Sequence, residues 1–167
     1  MSQIGRRILS HGLHSKEDFK EVTSAPLRRP EPSVGVAVVV WKGDFILLGE
    51  DHGGKGPDMV YGVPGGHWES GESLSEAARR EVLEEAGIVV DDLSLASVHD
   101  FYRPDKSKSY VTIGFAAKWR SGEPQDESEV TRKRWAWYSL EALPEPLFPP
   151  DKILIERFRS GLVFGDQ

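Results

Sequence analysis

Glu81, Glu84 and Glu85 stand three and four residues apart, a spacing that gathers them on one side of a helix. At roughly 100° per residue, Glu81 and Glu85 fall within about 20° of the direction of Leu74, and Glu84 lies next to Ala77. Leu74, Ala77 and Ala78 form the apolar stripe that faces inward. Like charges at these separations destabilise a helix by a few tenths of a kcal/mol per pair. Partial burial raises that cost much further unless something positive sits among them. A divalent cation removes it, and hard cations such as Mg²⁺ and Mn²⁺ prefer carboxylate oxygens. The plainer alternative is a solvated acidic face, with Arg79 and Arg80 as ion-pair partners and Glu76 four residues before Arg80.

The helix that carries these groups is marked at both ends. Ser73-Leu-Ser-Glu76 has the pattern of a capping box, and Gly87 stands where a helix ends in a left-handed residue. The expected span is therefore about Leu74 to Ala86. Before it comes Val63-Pro64-Gly65-Gly66-His67, whose paired glycines let a backbone approach a ligand closely. A Gly-Gly pair alone is more often just a turn. Here the spacing decides: Gly66, five residues, Glu72, seven residues, then Arg80-Glu81-Val82-Leu83-Glu84-Glu85-Ala86-Gly87-Ile88.

That run matches every fixed position of the Nudix box, nine constrained positions across 23 residues, so the chain resembles a Nudix hydrolase. The wider resemblance runs from about Val34 to Phe158. It is to the small nucleoside triphosphate diphosphatases of that family, through VGVAVVV, LLGE, PGGHWESGES, YVTI and WAWYSLEALPEPLF. The resemblance implies an α/β/α sandwich with a central mixed sheet, in which the box forms a metal-binding loop–helix–loop. By resemblance, Glu81 and Glu85 are the main metal ligands, Glu84 assists, and the Gly65 carbonyl completes the protein shell. Glu72 and Arg80 then pair to hold the loop against the helix, while Val82 and Ile88 are core.

The implied reaction is Mg²⁺-dependent hydrolysis of a diphosphate linkage, with Mn²⁺ as a substitute. The metal neutralises phosphate charge and acidifies a bound water, and a carboxylate accepts the proton. Glu81 is one candidate for orienting that water; Glu127 or Glu129 on a later loop is another, although these acids are out of register with the family pattern. The favoured substrate is a (deoxy)nucleoside triphosphate, cut to monophosphate and pyrophosphate. Sugar nucleotides, dinucleoside polyphosphates, RNA ends and a non-catalytic nucleotide sensor are the alternatives. Trp68, Phe101, Tyr102 and Trp137 are possible walls for a base, set against their commoner role as core. Lys55 and Arg103 are possible phosphate contacts. His52, His67 and His99 have no evident partner.

The rest of the chain frames this centre. At 167 residues it holds one sizeable domain, expected over 33–160, between an N-terminal arm (1–32, closing on Pro26, Pro30 and Pro32) and a tail (161–167). A short helix is possible around Ser15 to Val22. Strands are expected at 34–40, 45–48, 60–63, 93–100, 109–119 and 135–138, with a polar hairpin connection over 103–108 and a second helix over 151–158. The glycine-rich stretch from His52 to Pro57 reads as a loop. The longest apolar stretch, Val34 to Trp41, is too short to span a bilayer. With no secretion signal and no cysteine, the expected setting is cytoplasmic, without disulfides or thiolate chemistry. A net charge of −6 argues against long nucleic acid as partner, but not against a small anionic substrate held through a metal. The family resemblance adds a homodimer.

Overall fold

A computed structural model describes residues 31–51, 59–125 and 134–161. The expectations for the N-terminal arm up to residue 30, for the tail beyond 161, and for His52, Lys55, Glu127 and Glu129 fall outside the described residues. The strands are β1 (Ser33–Lys42), β2 (Phe45–Asp51), β3 (Val60–Gly62), β4 (Gly65–His67), β5 (Val89–Arg103), β6 (Lys108–Ser121) and β7 (Arg134–Ser139). Among the described residues two helices, α1 (Leu74–Ala86) and α2 (Pro149–Ser160), complete the layers, and a 3-10 turn over Pro104–Lys106 joins β5 to β6. No helix among the described residues is long and apolar enough to cross a membrane.

All seven strands form one sheet, in which β1 runs parallel to β6 and its other pairings are antiparallel. The β-branched run of β1 is buried from Val36 to Val40, as a strand covered on both faces requires. Val36, Val38, Val40 and Leu47 pack with Ala77, Ala78, Val82 and Ala86 of α1. Ala37, Val39, Ile46 and Leu48 pack on the opposite face with Leu154 and Ile155 of α2. The result is an α/β/α sandwich around a mixed sheet.

The sheet forks between β1 and β2. These strands pair only at Trp41–Ile46 and Lys42–Phe45, beside the turn that joins them. Beyond that point β4 takes the vacated edge of β1 and β3 takes that of β2. Val63 and Pro64 carry the chain from β3 on one prong to β4 on the other, and a cleft opens between them. The three residues of β4 are a difference from the sequence reading, which left them in a loop. Strand β5 is also longer than expected, beginning at Val89, because β-bulges between Val89 and Ser97 carry it past interruptions such as Asp92 at φ 49°.

Candidate active site

The bounds of α1 follow from its caps. Ser73 Oγ accepts from the Glu76 N–H at 3.2 Å, and the Glu76 carboxylate accepts from the Ser73 N–H at 2.7 Å. Gly87 closes the other end at φ 68°. Arg79 reaches out to donate to the Val90 carbonyl, which fixes the helix to β5.

On the other side, α1 is tied to β4 by the phase of a ladder. The Val38 N–H donates to the Pro64 carbonyl, Val36 pairs with Gly66, and the Trp68 N–H donates to the Val34 carbonyl. Alternation then turns the polar backbone groups of Gly65 and His67 away from β1. There the Gly65 N–H donates to Glu85 Oε2 at 3.0 Å, and the His67 carbonyl accepts from Arg80 at 3.1 Å. Gly66 lies flat beneath Glu81: an added Cβ would stand 2.6 Å from Glu81 Oε2, closer than two such atoms can approach.

Arg80 is the hub. Its Nε and one Nη2 hydrogen grip Glu72 at 3.0 and 2.8 Å, and the two Nη1 hydrogens reach Glu81 at 2.9 Å and Glu84 at 3.2 Å. With the His67 carbonyl, all five guanidinium donors find acceptors. Hydrogen bonds from Arg80, and then from the Glu69 N–H, hold the Glu72 carboxyl below the usual carboxylate range. The same contact with Glu72, followed by those with Glu81 and Glu84, moves the Arg80 guanidinium further up.

The three glutamates differ in setting. Glu81 is buried at 9% exposure, Glu85 is half-buried, and the Glu84 side chain is 61% exposed. The inward stripe continues through Val82 and Ala86, so Glu81 and Glu85 flank the core and Glu84 points outward. That corrects the expectation of three carboxylates clustered inward. Among the described residues no three acidic or histidine side chains stand as a ready-made grip for an ion. Arg80 draws Glu81 and Glu84 to its own hydrogens, and the Gly65 N–H holds Glu85. The donor chemistry still fits a hard cation: oxygens of Glu81 and Glu85 lie against Gly66 and Gly65, and the Gly65 carbonyl is turned to the same side.

The cleft of the fork begins beside these groups. It encloses about 570 Å³ and is lined by Gly65, Gly66 and His67, by Gly35, by Phe101 and Phe148, and by Asp151 at the joint. Phe101 and Phe148 meet edge to face, with ring centroids 5.9 Å apart at 71°. Asp151, buried in the first turn of α2, accepts from the Val63 N–H at 2.9 Å and so fixes the joint between the prongs. Arg103 and Lys106 also line it.

The sequence-chosen substrate residues are divided by this geometry. Phe101, Arg103 and His67 line the cleft; Trp68, Tyr102 and Trp137 do not. The Trp68 indole is 46% exposed and donates to the Glu72 carbonyl at 2.9 Å. Tyr102 follows Phe101 on β5 and is 54% exposed. Trp137 packs against the core under α1, with the Lys42 ammonium 5.6 Å from its ring centroid. His99 is buried, with Nδ1 3.2 Å from Ser97 Oγ. Its Nε2 makes no full hydrogen bond; the Pro150 carbonyl is the backbone group that bears on it. Phe148 and Asp151 had no sequence signal beyond the Pro149-Pro150 pair that starts α2.

Comparison with known proteins agrees with this geometry. The model of the NUDIX domain matches residues 30–158. The chain is 34% identical over 134 residues to the NAD-capped RNA hydrolase NudC of Pseudomonas aeruginosa, covering 77% of this chain and 45% of that protein. It is 38% identical over 109 residues to the phosphatase NudJ of Escherichia coli, covering 63% and 68%. The chain thus spans less than half the length of the NudC relative. Among solved structures, the MutT NUDIX hydrolase from Burkholderia pseudomallei matches with a TM-score of 0.70 and 28% identity, over 76% of this chain and 98% of that one. A family match over most of the chain, on a forked mixed sheet with the box residues of α1 at its mouth, makes this protein a member of the Nudix hydrolase family.

Proposed function

We propose that the chain hydrolyses a diphosphate linkage in a nucleotide, with Mg²⁺ or Mn²⁺ as cofactor. The substrate we favour is a (deoxy)nucleoside triphosphate, cut to the monophosphate and pyrophosphate. One observation carries the reading: residues 65–67 both line the cleft and hold the carboxylate-bearing face of α1. A ligand filling the cleft therefore meets the strand against which Glu81 and Glu85 lie.

When bound, the metal supplies charge neutralisation on the phosphates and an acidified water. The chain supplies the rest. Glu81 and Glu85 hold the ion together with the Gly65 carbonyl, while Glu84, standing in solvent, assists from outside. Arg80 fixes the approach of Glu81 and Glu84 by occupying one oxygen of each. Glu81, the most buried of the three, orients the attacking water. Phe101 and Phe148 present an aromatic corner to the base. The same proposal includes a homodimer in the cytoplasm, and light scattering reads its oligomeric part.

The test is product analysis on a panel of nucleoside triphosphates, sugar nucleotides and dinucleoside polyphosphates with Mg²⁺ or Mn²⁺, with Glu85→Gln as control. Pyrophosphate from triphosphates, reduced about 100-fold or more in the variant, is the expected result. Cleavage confined to the other panel members moves the substrate and keeps the centre. Binding without turnover of any member would overturn the hydrolase reading in favour of a sensor.

A further inference from the structure

The start of α2 forms one wall of the cleft, where Phe148, Pro150 and Asp151 are lining residues. Asp151 accepts from the Val63 N–H at 2.9 Å and ties that turn to the link between β3 and β4. Towards the sheet the turn rests on β5. There Ser97, His99 and Phe101 are alternate residues of one face, opposite Gly114, Thr112 and Tyr110 of β6. Each meets α2 one step nearer its start. Ser97 Oγ and Leu154 crowd together over Gly114, where an added Cβ would touch both. His99 lies against the Pro150 carbonyl, and Phe101 meets the ring of Phe148 with centroids 5.9 Å apart.

Of these three contacts, the one at His99 can titrate. The residue is 7% exposed, its Nδ1 is 3.2 Å from Ser97 Oγ, and its buried Nε2 makes no full hydrogen bond. A carbonyl can only accept, so the Pro150 carbonyl calls for the tautomer with the proton on Nε2. Nδ1 then accepts from the Ser97 hydroxyl, which selects that tautomer. Bringing the first turn of α2 fully onto β5 completes the bond from Nε2 and removes the penalty of a buried polar atom left short of its partner. Protonation works the other way. Burial is the largest influence holding the ring neutral, and Arg157 of α2 adds to it; Asp100 of β5 and the Pro150 carbonyl oppose it. Thr112, opposite on β6, carries no charge. A charged ring gains water only if the turn lifts from the strand, so acid favours the lifted state. The carboxylates of α1 lie across the sheet from α2 and are not part of this contact.

We infer that His99 is a positioning residue for the nucleotide: its neutral ring fastens the first turn of α2 to β5 and so sets the aromatic corner, and a proton taken up by the ring loosens that wall and weakens substrate binding. The inference rests on the proposed placement of the base at Phe101 and Phe148.

The first measurement is KM and kcat for the nucleoside triphosphate that the panel finds to be cleaved, from about pH 7.5 to about pH 5, on the wild type, His99→Gln and Ser97→Ala. Glutamine keeps an N–H donor that does not titrate in this range. Dividing wild type by His99→Gln at each pH removes the titration of the substrate and of the carboxylate centre. The KM ratio is expected to rise about fivefold toward acid, the contribution of one hydrogen bond, with the kcat ratio level. Ser97→Ala keeps the ring but frees its tautomer, and is expected to raise KM about threefold at the alkaline end with kcat unmoved. A merely structural His99 shifts KM and kcat together in His99→Gln and leaves both ratios flat with pH, which overturns the inference. The second measurement needs no substrate: the protection of the Val63 amide, held by Asp151, against hydrogen exchange, relative to the amides of β1. That protection is expected to fall about fivefold toward acid in the wild type and to stay level in His99→Gln; a level wild-type profile overturns the inference. If no triphosphate is cleaved, the proposed function fails by itself, and the wild-type protection profile decides whether His99 fastens the turn. The same profile decides if His99→Gln does not fold.

Discussion

Replacing Gly66 with alanine adds one methyl group at the point where strand and helix meet. Gly66 does not need a left-handed backbone, so alanine is acceptable there conformationally. The obstacle is Glu81: the new Cβ would stand 2.6 Å from its Oε2. Glu81 is buried and bonded to Arg80 at 2.9 Å, so it cannot step aside freely. Either the carboxylate leaves its rotamer, at about 1 kcal/mol, or it gives up its hydrogen bond to Arg80, at a similar cost after allowance for partial exposure. The two together set a stability loss of about 2 kcal/mol. Activity suffers more, because the displaced group is a proposed metal ligand. We expect kcat/KM to fall about 100-fold, with the Mg²⁺ midpoint moved upward. Urea unfolding and pyrophosphate release at graded Mg²⁺ measure the two effects. Gly43→Ala is the control: Gly43 takes φ 61° with nothing near its Cβ position, in the turn between β1 and β2. That change is expected to cost about 1 kcal/mol of stability and to leave kcat/KM alone. Wild-type activity and an unmoved Mg²⁺ midpoint in Gly66→Ala would refute the placement of Glu81 against the strand.

Arg80→Lys keeps the charge but cannot reproduce five directed donors; we expect kcat/KM to drop about tenfold, and added Mg²⁺ not to restore it. Phe148→Ala removes one ring of the aromatic corner, and KM for the nucleotide is expected to rise about fivefold with kcat little changed, read from initial rates. Burial holds the His99 imidazole below its ordinary pKa, with Arg157 adding to the effect and Asp100 opposing it. A lowered imidazole pKa means the unfolded chain takes up protons first, so this contribution is complete above about pH 6.5. It is lost as pH falls through the folded value. Glu72, also held low, contributes above the ordinary carboxylate range and loses its contribution only as pH falls below it. In urea melts against pH, His99→Gln is expected to flatten the decline that begins near pH 6.5, and Glu72→Gln only the one at lower pH.

What was legible in the chain was local. Ser73, Glu76 and Gly87 carry the whole signal for the ends of α1, and the structure places them where their chemistry requires. The β-branched run of β1 and the turn at Gly43 are equally self-contained. What escaped depends on residues far apart in sequence. Two glycines and a histidine have no strand propensity; β4 exists because β1 and β2 splay and leave an edge to fill. Without β4 there is no fork, and without the fork nothing in the sequence brings Phe148 to Phe101 or Asp151 to the Val63 N–H. Glu84 misled for a related reason. Helical geometry places it near Ala77 in projection, but the core stripe leans toward Val82 and Ala86, which leaves Glu84 in water.

The ladder phase at β4 bears on association as well as on the site. A strand with one free side is a template on which another chain can pair. Here the outward Gly65 N–H is taken by Glu85 and the outward His67 carbonyl by Arg80. The box helix thus caps that border with its own side chains. The Gly65 amide should therefore exchange hydrogen with deuterium as slowly as the helix detaches from the strand. Removing the carboxylate at 85 would bare a donor to neighbouring molecules, so the loss of this proposed metal ligand would also seed aggregation.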